Sequence, residues 1–255
     1  MERKPSIDLN CDMGESFGAY TLGNDEAMMP FITSVNIACG FHAGDAATMR
    51  RTVSKALEYN LSIGAHPGFD DLQGFGRREM HLSPTEVYDL VTYQIGALWA
   101  FTRSEGGHLI HVKPHGALYN MAAKNEQLAL AIARAISKVD GRLIVYGLSG
   151  SKLIEAAQQQ GLRYCSEVFA DRTYTKDGNL TPRTEPNAVI HDETQSINQV
   201  LNMVKYGKVD TADGFSVNIK AETICLHGDN PHAVAFAQKI HHKLKEENII
   251  LQAPQ

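Results

Sequence analysis

The sequence predicts a (β/α)7 barrel, folded as a single domain over residues 1–255. Short apolar runs of strand character alternate with amphipathic helical stretches from end to end, and such alternation implies parallel strands with helices outside. Seven strand-then-helix units fill the 255 residues, slightly short of the eight-fold barrel. Ionisable side chains also gather at the C-terminal ends of the strands, where barrels carry their chemistry. A doubly wound open sheet shares this element order and places its chemistry at the same strand ends.

The first strand runs from Ser6 to Asn10, with Ile7 and Leu9 alternating against Asp8 and Asn10, and a glycine-containing loop follows through Asp12, Gly14 and Gly18. A short helix is predicted over Asn24 to Phe31 and a second strand over Ser34 to Ala38. Asp45 is placed to cap a helix from Ala46 to about Tyr59, with Met49, Val53, Ala56 and Leu57 at helical spacing. The third strand, Ser62 to Ala65, runs into His66-Pro67-Gly68. Ser83-Pro84-Thr85-Glu86 is a capping-box sequence with proline at the first helical position, and Gly106-Gly107 ends that helix.

The fourth strand leads through His111-Val112-Lys113-Pro114-His115 and stops at Pro114, which cannot donate to a ladder. A helix from Asn125 to Val139, a strand from Leu143 to Tyr146 and a helix from Gly150 to Gln160 come next. The sixth strand, Tyr164 to Phe169, ends in Ala170-Asp171-Arg172. The irregular segment Thr175 to His191 has the character of a flap. A helix over Glu193 to Tyr206, a strand over Thr223 to Leu226 leading to His227-Gly228-Asp229, and a helix from Pro231 to Glu247 complete the chain.

Composition excludes several functions. A net charge of −5 without a basic run argues against a nucleic-acid partner. Cys11, Cys39, Cys165 and Cys225 are far apart and form no CxxC pair, so they read as reduced thiols of a cytoplasmic protein rather than a disulfide framework or a zinc-thiolate site. No secretory leader and no apolar run of membrane-spanning length is present, which also places the chain in the cytoplasm. There is no GxSxG elbow, no GxxxxGK[ST] loop and no dinucleotide fingerprint.

What remains is acids, imidazoles and an amine at the strand ends. Side chains two apart on a strand share a face. Asp8, Asn10 and Asp12 therefore align on the first strand, and His111, Lys113 and, if the chain stays extended, His115 align on the fourth. Strand two leads to His42, strand three to His66, strand six to Glu167, Asp171 and Arg172, and strand seven to His227. A carboxylate inside a strand, such as Glu167, needs a partner, and Lys113 is the natural one. This set suits acid–base hydrolysis, with a carboxylate activating water and a histidine or lysine stabilising the oxyanion. A divalent metal held by aspartate and histidine is compatible with it, although no HExxH spacing specifies one.

Long strings along the chain resemble the LamB/YcsF family. They are Asp8-Leu9-Asn10-Cys11-Asp12-Met13-Gly14-Glu15-Ser16-Phe17-Gly18, Asn36-Ile37-Ala38-Cys39-Gly40-Phe41-His42-Ala43-Gly44-Asp45, Gly64-Ala65-His66-Pro67-Gly68-Phe69, Lys113-Pro114-His115-Gly116-Ala117-Leu118-Tyr119, Glu167-Val168-Phe169-Ala170-Asp171-Arg172 and Leu226-His227-Gly228-Asp229. The resemblance implies a (β/α)7 barrel like that of glycoside hydrolases and polysaccharide deacetylases. It further implies ATP-dependent opening of 5-oxo-L-proline to L-glutamate, carried out jointly with B and C subunits.

Chemistry then assigns roles. Asp12 or Asp8 is the base, Lys113 and His115 contact an oxyanion or phosphate, and Arg172 anchors a carboxylate. Glu167 completes the catalytic set, and Asn10, His42, His66, Asp171 and His227 face the substrate. ATP supplies activation, because a five-membered lactam is an unactivated amide, and partner subunits can be the ones that bind it. A metal-dependent deacetylase or amidohydrolase acting alone, and a non-catalytic binding subunit, are the competing readings.

Overall fold

A computed structural model describes residues 5–226 and 233–254. The elements, in chain order, are β1 (Ser6–Met13), α1 (Asp25–Met28), β2 (Ser34–Ala38), α2 (Ala46–Glu58), β3 (Ser62–His66), α3 (Pro84–Ser104), β4 (Leu109–Val112), α4 (Gly116–Ala122), α5 (Glu126–Val139), β5 (Ile144–Leu148), α6 (Lys152–Gln159), β6 (Arg163–Phe169), α7 (Glu193–Tyr206), β7 (Lys208–Asp210), β8 (Ser216–Asn218), β9 (Thr223–Leu226), α8 (Ala233–Glu246) and β10 (Ile250–Leu251). Strands β1 to β6 and β9 pair in parallel in sequence order, and β9 pairs with both β6 and β1. The sheet therefore closes into a seven-stranded barrel rather than an open doubly wound sheet. β10 extends the start of β1, and β7–β8 is an antiparallel hairpin outside the barrel. No helix among the described residues is long and apolar enough to cross a membrane.

Local sequence explains most boundaries. Asp45 accepts from the Thr48 amide and caps α2. Ser83 and Glu86 form a reciprocal capping box at α3, with Pro84 at its first position. Gly207, left-handed at φ 62°, ends α7. The predicted helix over Asn24 to Phe31 is only one α-turn followed by a 3-10 turn, because Pro30 lacks the amide an α-helix needs there. α4 and the β7–β8 hairpin were not legible. α4 is seven residues long and has no side-chain cap, so it shows neither periodicity nor a start signal.

Parity divides each strand between two environments. Leu9, Val35, Ile37, Ile63, Val112, Val145, Val168 and Ile224 face the helices and are fully or almost fully buried in one continuous core. Each contributes on the order of 1.5–3 kcal/mol by leaving water. The opposite faces fill the barrel interior, largely with polar groups.

The fourth strand reaches this pattern through a bulge. Ile63 pairs with Leu109 but Gly64 with His111, so Ile110 is an extra residue. The insertion flips the parity of the residues beyond it and turns His111 and Lys113 inward. Gly64 makes room, since a Cβ there would lie 2.0 Å from His111 Nε2.

Candidate active site

β1 runs three residues further than predicted, to Met13, so Asp12 is the last inward carboxylate of a strand and not a loop residue. Its Oδ1 lies 2.9 Å from Lys113 Nζ, and Lys113 Nζ lies 2.8 Å from Glu167 Oε1. Lys113 also donates to Asn10 Oδ1 at 3.2 Å and to Cys225 Sγ at 3.1 Å. One ammonium thus sits between two carboxylates at the top of the barrel. Glu167, as a carboxylate in a strand requires, is fully paired: Asn10 Nδ2 donates to its Oε1 at 3.0 Å and the Tyr119 hydroxyl to its Oε2 at 2.6 Å.

Exposure separates the two acids. The Glu167 side chain is 0% exposed and that of Asp12 is 17%. Burial alone would raise the Asp12 carboxyl, but His66 and Lys113 outweigh it and hold the group well below the usual carboxylate range. Burial works against the Lys113 charge, yet Asp12, Cys225 and Glu167 keep its ammonium well above the usual value. Asp12 is therefore an ionised carboxylate that reaches the cavity.

Asp8 has another place. It is buried deeper in the barrel, where it accepts from Thr33, Ser34, Tyr146 and Thr223 hydroxyls, and it does not line the cavity. Burial raises its carboxyl despite those donors. Asn36, absent from the sequence-based set, joins the layers. Its Nδ2 donates to Asp12 Oδ1 at 2.8 Å and to Asn10 Oδ1 at 2.7 Å, while its Oδ1 lies 2.7 Å from His111 Nε2. His111 stacks on Tyr146 with ring centroids 4.0 Å apart.

Beside Asp12 is a histidine group. His66 Nε2 lies 3.2 Å from Asp12 Oδ2, and its Nδ1 is 2.7 Å from the Lys113 carbonyl oxygen. His115, at the start of α4, places Nδ1 2.9 Å from His66 Nε2 and Nε2 2.9 Å from the Phe75 carbonyl oxygen. His42 stacks flat on His115 with centroids 3.8 Å apart. Burial pushes the His42 imidazole well below its ordinary value and that of His115 to about 3. Glu15, which the sequence pattern did not mark as part of the site, lies 3.7 Å from His42 Nε2 and 3.9 Å from His115 Nδ1. Glu15, His42, His66 and His115 form a group that can hold a metal ion, their ligand atoms all within 4.8 Å of one another.

The cavity above has a volume of about 720 Å³. Its floor is Asp12, Glu15, His66, Lys113 and His115, and Tyr119, also missed from sequence, lines one wall. The irregular segment read from sequence as a flap also lines the cavity, through Asn179 to Thr184. Arg172 is buried beneath this flap, where it donates to the Ala188 and Thr181 carbonyls, and it too lines the cavity. Burial and Arg183 lower its guanidinium to about 10. Asp171 is half-buried next to it and is not among the lining residues. His227 lies outside the described residues.

Residues 7–255 match the sequence profile of the LamB/YcsF family. A protein of Brevibacillus brevis that is named as the A subunit of 5-oxoprolinase is 60% identical over 248 residues, which span 97% of this chain and 98% of that protein. One of the same name from Bordetella pertussis is 57% identical over 249 residues, 98% of this chain and 99% of that protein. The crystal structure of a lactam utilization protein from Thermus thermophilus superposes with a TM-score of 0.93 at 43% identity, covering 98% of this chain and 100% of that one.

Proposed function

The chain belongs to the LamB/YcsF family, and from that premise we propose that it is the A subunit of a 5-oxoprolinase, opening 5-oxo-L-proline to L-glutamate. Identity of 57–60% over nearly the whole length of proteins bearing that name carries the reading. The site's chemistry supports it. Opening a lactam needs a base for water, a cation near the carbonyl oxygen and an anchor for the α-carboxylate.

Asp12 is the base. Lys113 keeps it ionised and turns toward the carbonyl oxygen when substrate displaces its weak contact with the Cys225 sulfur. Glu167 fixes the ammonium from behind and stays out of solvent. Arg172 anchors the carboxylate from under the flap. Asp12 takes a proton from water as the oxygen adds to the ring carbon, the C–N bond breaks with the nitrogen taking up that proton, and the phosphoryl group carried on the former carbonyl oxygen leaves as inorganic phosphate when a second water hydrolyses the resulting acyl phosphate. Arg77, Arg172 and Arg183 line the cavity together with Lys113, and guanidinium groups of this kind suit a substrate that arrives phosphorylated.

Partner B and C subunits supply that activation with ATP; the chain itself carries no loop of the GxxxxGK[ST] kind. The four buried, free cysteines suit a reducing compartment, the cytoplasm, where ATP is available. Mixing the chain with the B and C subunits of a relative, 5-oxoproline and ATP is expected to release glutamate. Omitting the chain or ATP is expected to abolish release. Equal release without the chain would refute the proposal.

The Glu15, His42, His66 and His115 group favours one second reading, a metal-dependent amidohydrolase that acts alone. Hydrolysis of an amide by the isolated chain, insensitive to ATP and abolished by a chelator, would select it.

A further inference from the structure

The histidine group presents a hydrogen-bond problem that the hydrolytic roles above do not solve. His66 Nδ1 is committed to the Lys113 carbonyl and His115 Nε2 to the Phe75 carbonyl. A carbonyl only accepts, so each of these nitrogens carries the proton of its ring. The remaining nitrogens, His66 Nε2 and His115 Nδ1, then carry lone pairs, and they face each other at 2.9 Å. Two neutral imidazoles in that arrangement have no proton to share.

A protonated His66 would answer this first difficulty, with Asp12 Oδ2 at 3.2 Å balancing the charge. It would not answer the second. His42 is buried, and neither of its ring nitrogens has a hydrogen-bond partner. Its Nε2 is 3.7 Å from Glu15 Oε1, beyond hydrogen-bond reach but not beyond a shared cation. A buried polar atom left unpaired costs on the order of 1–3 kcal/mol, so an orphan of this kind points to a ligand.

The surroundings are shaped for these rings. Gly76, at φ +63°, would carry a Cβ 2.7 Å from His42 Cβ and 2.9 Å from His115 Cδ2, so no side chain fits between the loop and the stacked pair. Carbonyl partners on the far nitrogens are also how proteins orient metal-binding imidazoles. First-row cations bind imidazole nitrogen at about 2.0–2.1 Å, so donors on opposite sides of one ion stand roughly 4 Å apart. The donor atoms here lie within 4.8 Å of one another.

We propose that Glu15, His42, His66 and His115 bind one divalent first-row transition-metal ion on the cavity floor beside Asp12. Three imidazoles and one carboxylate select a borderline ion such as Zn²⁺, Mn²⁺, Fe²⁺ or Co²⁺ over Mg²⁺ and Ca²⁺, which prefer oxygen-only shells. Such an ion supplies Lewis-acid polarisation of a carbonyl or phosphoryl oxygen. Its binding is independent of which substrate the cavity takes.

Elemental analysis of the full chain purified without chelator, and calorimetric titration of the chelator-treated chain with Zn²⁺, Mn²⁺ and Co²⁺, test it without any activity assay. One equivalent per chain is expected, with an absorption band of nitrogen-coordinated Co²⁺ and a rise in Tm on binding. Magnesium and calcium are expected not to compete at equal concentration. His42→Gln and Glu15→Gln are expected to weaken binding by roughly 100-fold or more while the apo proteins keep their secondary structure. If those variants do not fold, the Co²⁺ spectrum of the unsubstituted chain, which reports nitrogen ligation directly, decides. No metal on the purified chain together with no saturable binding of any of the three ions would overturn the proposal. Binding unchanged by both substitutions would overturn it as well.

Discussion

Lys113 Nζ stands 2.8 Å from Glu167 Oε1 and 2.9 Å from Asp12 Oδ1, so one buried ammonium offsets two carboxylates contributed by β1 and β6. Removing it leaves both acids without a counter-charge. Lys113→Met, which keeps the length of the side chain, is expected to cut glutamate release by at least about 100-fold. It is also expected to destabilise the fold by about 3–5 kcal/mol, read by chemical denaturation. Adding Glu167→Gln is expected to restore part of the stability and none of the activity. Full activity in Lys113→Met would remove the lysine from the mechanism.

The acid behaviour of the fold has a specific carrier in His111. Burial pushes its imidazole to about 3, against about 6.5 in an unfolded chain. Between those values the unfolded chain binds a proton that the folded chain does not, so stability falls as pH drops through this window and is fully regained above about pH 6.5. The slope due to this residue is about 1.4 kcal/mol per pH unit. His111→Gln is expected to flatten the pH dependence of unfolding free energy between pH 6 and 4 by that amount. An unchanged slope would show that His111 is charged in the native state.

Gly64 is the space into which His111 is turned. A Cβ at this position would lie 2.0 Å from Nε2 of that ring. Gly64→Ala is expected to cost about 3 kcal/mol or more, a Tm drop of roughly 10 °C for a chain of this size. Adding His111→Ala is expected to return part of the loss. A wild-type Tm for Gly64→Ala would contradict the close approach.

The contrast between these residues shows what the chain states openly and what it hides. The alternation of Ile7 and Leu9 with Asp8, Asn10 and Asp12 identifies an inward polar face at once. It does not state depth, and so Asp8, bound by four hydroxyls below the cavity, reads from sequence as the equal of Asp12. The inward turn of Lys113 depends on the Ile110 bulge, which has no signature in its residues. His42 and His66 are visible as loop and strand-end histidines. Their meeting with His115 requires the closed ring of strands, which periodicity does not encode. Glu15 escaped because it lies two residues beyond the strand, yet Gly14, left-handed at φ 69°, is the turn that returns it toward the site. Tyr119 escaped because α4 is too short to announce itself.

Arg172 is held by the Ala188 and Thr181 carbonyls and lines the cavity. Arg172→Gln is expected to raise KM for 5-oxoproline by about 10- to 100-fold with kcat within a few-fold, the pattern of a lost ground-state anchor. A fall in kcat at constant KM would instead place Arg172 at the reacting carbonyl.

Division of labour, with activation by the partners and hydrolysis in this barrel, is tested most directly by following ADP and glutamate together in the assembled enzyme carrying Asp12→Asn. Glutamate release is expected to drop by about 100- to 10,000-fold while ADP continues to form, since the substitution removes the proposed base and leaves the partners intact. Glutamate release at the unsubstituted rate, or ADP and glutamate falling in constant ratio, would contradict it.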